Sequence, residues 1–163
     1  MTKPQLTVDR LLKSGFAEVG CWELNSARDL SHSIDLPSKA GVYAFAIDGI
    51  VQYVGLASQS VRQRLGFYRK PGASQRTNVR LNEIIRGHIG KGASVAILLA
   101  HPPDHQWNGL LLKGSEGLEA GLIESFHLPW NVRGAAPATL TQEAQRSRTD
   151  RQSGVRERIL GLI

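Results

Sequence analysis

The chain has 163 residues, 41% of them hydrophobic, with one cysteine, a formal net charge of +6 and an isoelectric point near 9.9. That length fits one domain able to bury its own core, and a single cysteine, Cys21, excludes an internal disulfide or a cysteine-built metal cage. The longest purely aliphatic run, Val95 to Ala100, is far short of a membrane span, and Met1 to Gln5 has no apolar core like a secretory leader's. The expectations are a cytoplasmic protein with no membrane partner and a polyanionic one, nucleic acid being the commonest.

The elements follow in chain order. Residues 5–14 read as a helix, with Leu6, Val8, Leu11 and Leu12 at helical spacing and Gly15 ending it. Cys21 to Leu24 suggests a short strand, and residues 31–39 a connector containing Pro37. Strands are expected at 41–47 and 51–55. Asp48-Gly49 between them is a strong hairpin signal, because a type I′ turn needs positive φ at both central residues.

Ser58 is placed to cap a helix over 59–68, with Val61, Leu65 and Tyr68 on one face, and Pro71-Gly72 breaks it. A basic loop spans 70–76. A second helix over 78–88 carries the stripe Leu81, Ile84, Ile85, His88, and Gly87, Gly90 and Gly92 are expected to end it. The run 94–100 reads as a strand covered on both faces. Residues 101–114 read as a loop, and Ser115 as the cap of a helix to about 127 with Leu118, Leu122, Ile123 and Phe126 inward. Residues 140–161 are arginine-rich and helical in tendency.

The expected fold class is α+β, a small three-stranded, mostly antiparallel sheet flanked by helices. Three parts are expected: an N-terminal helical extension (1–36), a central domain (37–132) and a basic C-terminal helical tail (133–163). The first and last are candidates for a homodimer contact.

Charge is concentrated. Between Arg62 and Lys91 eight basic residues, Arg62, Arg64, Arg69, Lys70, Arg76, Arg80, Arg86 and Lys91, accompany one acid, Glu83. Such a segment suits the phosphate backbone of a nucleic acid. His88 sits on an apolar stripe, as a core histidine would, and His101, His105 and His127 are too scattered for a zinc site.

The chemistry-bearing pattern begins with Gly41-Val42-Tyr43 and Tyr53-Val54-Gly55, which place two phenols on adjacent strands beside glycines. Arg64 and Tyr68, four apart, share one face of the next helix. That helix starts just after Gly55, where its N-terminal amides favour a phosphate. Glu119 lies in the last expected helix, and Asn131 follows Leu128-Pro129-Trp130.

Taken together, the two tripeptides, the Arg64-Leu65 pair, Glu119-Ala-Gly-Leu122-Ile123 and Asn131 resemble the GIY-YIG nuclease superfamily over about Gly41 to Asn131. The resemblance implies a metal-dependent endonuclease that hydrolyses DNA phosphodiesters. It implies catalytic roles for Tyr43, Tyr53, Arg64, Glu119 and Asn131: Tyr43 as general base, Arg64 stabilising the phosphate, and Glu119 holding one Mg²⁺ (or Mn²⁺). Tyr68 matches a tyrosine found four residues after the arginine, and with Arg62, Arg69 and Lys70 it is a candidate substrate contact. A free phenol has a pKa of about 10, so a base role for Tyr43 at neutral pH requires nearby cations to depress it. One position departs from the pattern: the family's repair nucleases carry lysine directly after the second tripeptide, where this chain has Leu56. The alternative is a catalytically weak nucleic-acid-binding module that keeps the fold; a third reading is a structural protein using its basic tail.

Overall fold

The computed structural model describes residues 1–132; the expected C-terminal helical tail lies outside the described residues. In chain order the elements are α1 (Val8–Lys13), β1 (Ala17–Cys21), β2 (Glu23–Leu24), β3 (Leu30–Ser31), β4 (Gly41–Ile47), β5 (Ile50–Ala57), α2 (Val61–Arg69), α3 (Arg76–Gly90), β6 (Ala96–Ala100), β7 (His105–Trp107), β8 (Leu110–Leu112) and α4 (Gly114–Ser125).

The Asp48-Gly49 turn forms as its chemistry demands, with φ of 49° and 76°. It sets the β4–β5 register, in which Tyr43 pairs with Gly55 and Phe45 with Tyr53. The register then shifts so that Ala46 faces Val51, leaving Gln52 as an extra residue in β5.

The main sheet has four strands in the order β1-β6-β4-β5, each pair antiparallel, not the three expected. The added strand, β1, comes from the N-terminal 36 residues, which therefore supply sheet as well as helix. It lacks an apolar signature because its residues are exposed or half-buried and its pairing slips between Glu18 and Gly20.

Side-chain alternation along β4 divides the core. Tyr43 and Phe45 point to one face, with Tyr53, Ile97 and Leu99, and meet Leu65 and Tyr68 of α2 and Leu81 and Ile85 of α3. Val42, Ala44 and Ala46 point to the other, with Val54 and Leu98, and meet Leu11 of α1 and Ile123 of α4. The inner strands are buried on both faces and so read as continuous apolar runs.

Several expected boundaries move for local reasons. Ser60, not Ser58, caps α2, its Oγ accepting the Gln63 N–H at 3.2 Å. α3 runs through Gly87 to Gly90. α4 starts one residue before Ser115, where the Asp104 carboxylate accepts the Gly114 N–H at 3.0 Å. The segment read as a loop holds the β7–β8 hairpin, turned by Asn108-Gly109 with φ of 49° and 80°. Its Trp107, Leu110, Leu111 and Leu112 are all exposed.

β5 is an edge strand whose free side is covered by the chain itself. The Val51 N–H donates to Leu6 O at 2.8 Å and the Trp130 N–H to Gln52 O at 2.8 Å. Among the described residues, no helix is long and apolar enough to cross a membrane.

Candidate functional site

The chain has three tyrosines, Tyr43, Tyr53 and Tyr68, and the fold gathers all of them. β4 supplies the first, β5 the second and the buried side of α2 the third. The Tyr43 and Tyr68 hydroxyls are 2.6 Å apart, and the Tyr68 O–H donates to the Tyr53 hydroxyl at 3.4 Å. Tyr43 and Tyr68 are fully buried, while Tyr53 keeps 7% exposure.

Gly55 makes this convergence possible. It lies opposite Tyr43, and a Cβ there would land on Cζ and Oη of the Tyr43 ring. The tyrosine ring therefore occupies the volume that any other residue at position 55 would fill.

Arg64, one turn before Tyr68 on α2, is half-buried beside the cluster. Its guanidinium carbon lies 4.9 Å from the centroid of the Tyr68 ring, a cation–π arrangement. Its Nη1 donates to Asn78 Oδ1 at 3.0 Å. An open pocket of about 390 Å³ adjoins Arg64, outside the start of α2, walled by the segment 56–60 with Gln63 and Phe67. Leu56, the departure from the family pattern, is part of that wall.

Electrostatics of the phenols run against the expected depression. Burial pushes the Tyr43 hydroxyl above its ordinary range and the neighbouring Tyr53 adds to this; Arg64 and the hydrogen bond shared with Tyr68 pull it down but do not prevail. Tyr68 is likewise raised by burial and by Tyr43 and Tyr53, against Arg64. Burial lowers Arg64, but the three tyrosines outweigh it and the guanidinium's pKa is raised.

The other expected site residues are placed as follows. Asn131 brackets β5: Oδ1 accepts the Val54 N–H at 2.9 Å and Nδ2 donates to Val54 O at 2.8 Å. It fixes the edge of the strand immediately after Tyr53. Glu119 is half-buried on α4, one turn before Ile123, which packs on the opposite face of the sheet from the tyrosines. Arg62 is turned away to Asp35 Oδ1 at 2.9 Å and Leu36 O at 2.8 Å. Arg69 and Lys70 are exposed at the end of α2. His88 packs against Trp130, ring centroids 5.4 Å apart.

Sequence reasoning missed the supports contributed by α3. Asn78 and Asn82 are buried side chains one turn apart; the first holds Arg64 and the second donates to Tyr68 O at 2.7 Å. Arg80 donates to Trp130 O at 2.8 Å, next to Asn131. The available signal was the i, i+4 pair of asparagines flanking Leu81.

No family model and no curated protein matches the chain by sequence. Among solved structures, the chain is similar to a mutant of bacteriophage T4 EndoII, with a TM-score of 0.64 and 18% identity, over 78% of this chain and 100% of that one. A second similar structure is the restriction endonuclease HPY188I in complex with product DNA, with a TM-score of 0.46 and 17% identity, over 76% of this chain and 83% of that one. The chain and T4 EndoII share a fold.

Proposed function

We propose that the protein is a metal-dependent DNA endonuclease of the GIY-YIG kind. The observation that carries this reading is Arg64, braced by Asn78 and Tyr68 at an open pocket beside the tyrosine cluster. A fold shared with T4 EndoII supports it.

In this reading the pocket receives the scissile phosphate. Arg64 offers it a planar, permanently charged set of donors, which lysine would match less well. Tyr53, the tyrosine that retains some exposure, contacts the phosphate or the attacking water. Tyr43 is the proton acceptor for that water, and since burial holds its phenol protonated, the active form grows as pH rises. Asn131 keeps β5, and with it Tyr53, in register. Basic groups of α2, α3 and the intervening loop neutralise flanking phosphates, giving affinity without sequence readout.

Glu119 would hold the divalent cation. Among the described residues no group of three or more histidine, cysteine or acidic side chains is assembled. A single carboxylate suits Mg²⁺, which prefers oxygen ligands and keeps several waters. When bound, the ion neutralises charge building on the phosphoryl oxygens.

The test is nicking of supercoiled plasmid with Mg²⁺ or Mn²⁺ by wild type, Glu119→Ala and Arg64→Ala. Wild type is expected to nick, with both variants slowed by about 100-fold or more, the scale of losing a charged transition-state contact. Equal nicking by wild type and Glu119→Ala removes Glu119 from the mechanism. The second reading, a binding module without turnover, is favoured by the uncharged Leu56 in the pocket wall. It would show salt-dependent DNA binding in EDTA and no cleavage of any DNA by wild type.

A further inference from the structure

Besides the aromatic side chains, Asn78 and Asn82 are the polar side chains buried among the described residues. A buried amide is costly unless both ends are bonded, and Asn78 uses both. Its Oδ1 accepts from Arg64 Nη1 at 3.0 Å, and its Nδ2 donates to Gln75 Oε1 at 3.0 Å. Gln75 Oε1 also accepts the Gly72 N–H at 3.2 Å. The direction of the chain is fixed by chemistry: arginine has donors only, so Asn78 must turn its oxygen to Arg64 and its nitrogen to Gln75.

The result is a continuous line from the backbone of Gly72, through Gln75 and Asn78, to the guanidinium. Gly72 and Gln75 belong to the turn between α2 and α3, flanked by Lys70 and Arg76. At the far end the guanidinium carbon lies 4.9 Å from the Tyr68 ring centroid, Asn78 holds Nη1, and the Tyr43 hydroxyl is a further neighbour. A long flexible side chain is thereby restricted, and the N–H groups that remain are the donors an incoming phosphate would take. A neutral amide is suited to this role. A carboxylate in the same place would neutralise the guanidinium and compete with the phosphate.

We propose that Asn78 is a positioning residue for Arg64, and that through Gln75 it couples the basic 70–76 turn to the phosphate contact. The inference rests on Arg64 contacting the scissile phosphate. Its consequence is that Asn78 sets the rate of cleavage rather than the strength of DNA binding, since affinity is spread over many backbone phosphates.

The experiment measures kcat and KM for Mg²⁺-dependent cleavage of a short DNA duplex by the full chain. The proteins are wild type, Asn78→Ala, Asn78→Asp, Gln75→Ala, Arg64→Ala, Arg64→Lys and the Asn78→Ala/Arg64→Lys double variant. Asn78→Ala is expected to lower kcat by about 10- to 100-fold, the range for a hydrogen bond to a charged group, with KM within about 3-fold of wild type because the backbone contacts persist. Asn78→Asp, nearly isosteric, keeps an acceptor for Arg64 but loses the donor to Gln75; its melting temperature is measured alongside, and it should lose at least as much kcat. Gln75→Ala should give a smaller loss of the same kind. Arg64→Lys should cost much less in the Asn78→Ala background than in wild type, because the oriented guanidinium is already lost.

Wild-type kcat in Asn78→Asp, or equal Arg64→Lys losses in the two backgrounds, overturns the proposal. If Arg64→Ala abolishes cleavage while both Asn78 variants cleave normally, only this inference fails. If Arg64→Ala cleaves like wild type, the phosphate role of Arg64 fails and this inference falls with it. Asn78→Asp decides the matter should Asn78→Ala not fold.

Discussion

Gly55→Ala tests whether the second glycine exists to admit the Tyr43 ring. The added methyl would overlap Cζ and Oη of Tyr43 and sit 2.7 Å from Cε2, where ordinary contacts begin near 3.4 Å. The backbone cannot give way easily, because Tyr43 and Gly55 are paired within the β4–β5 ladder. Nor can the ring swing aside: its centroid is 5.4 Å from Phe45, 6.1 Å from Tyr53 and 6.0 Å from Tyr68. Overpacking of this kind costs about 1–3 kcal/mol. Losing the Tyr43–Tyr68 hydrogen bond adds about 1 kcal/mol, and alanine in a strand interior returns about 0.5–1 kcal/mol relative to glycine. The net expectation is a loss of about 1–3.5 kcal/mol, or a melting temperature lower by roughly 3–12 °C for a domain of this size. Urea denaturation and calorimetry measure it directly. In a Tyr43→Ala background the methyl has room, so Gly55→Ala should there cost less than about 0.5 kcal/mol. A variant that melts with wild type, or an equal cost in both backgrounds, would refute the steric account.

Asn131→Asp keeps the acceptor for the Val54 N–H but turns a carboxylate toward the Val54 carbonyl. It should destabilise by about 1–3 kcal/mol, and an unchanged urea midpoint would show that the clamp contributes nothing. Stability should also fall in alkali. Tyr43 and Tyr68 both have folded pKa values raised above 10.0, so their stabilisation is complete below pH 10 and is lost as pH rises beyond it. Each proton that the unfolded chain has released and the fold retains costs about 1.4 kcal/mol per pH unit. A Tyr68→Phe variant should show a shallower decline between pH 10 and 11, and a slope identical to wild type would count against burial as the cause. If Tyr43 is the proton acceptor, kcat should climb with pH without a plateau up to about pH 10, because its raised pKa keeps the phenolate scarce below that. A plateau near neutrality would assign the proton to another group.

What the sequence made legible was local chemistry. Asp48-Gly49 specifies its turn through φ alone, and the alternation of Tyr43 with Val42 and Ala44 follows from the pleat. Arg64 and Tyr68 are one helical turn apart wherever the helix packs. The four strong elements around the site, β4, β5, α2 and α3, were accordingly visible in outline. β1 was not, because it joins the sheet by backbone pairing with β6 and buries little of its own. The β7–β8 hairpin was passed over because its apolar residues stay exposed, so no burial pattern accompanies Asn108-Gly109. Asn78 and Asn82 carry no apolar signal in the stripe Leu81, Ile84, Ile85, His88. Only the packing of α3 against α2 turns them inward, and pairwise tertiary geometry has no single-residue signature. The burial of the phenols was equally hidden: the base role implied for Tyr43 requires a depressed pKa, but desolvation depends on how many layers cover the ring.

The two faces of the main sheet carry different partners. The tyrosines and Arg64 are set by the face that meets α2 and α3, where packing is dense and the hydroxyls are already paired. Glu119 rides on α4, against the face built from Val42, Ala44 and Val54. β5 is the shared wall, since its alternate residues look both ways: Tyr53 and Gly55 toward the phenols, Val54 toward the α4 side. Its free edge is tied down at Gln52 by Trp130 and at Val54 by Asn131, and beyond Val54 the strand runs into the pocket wall at Leu56. The register of β5 therefore fixes where Tyr53 and Gly55 stand relative to Tyr43. Asn131 holds that register through both of its bonds to Val54.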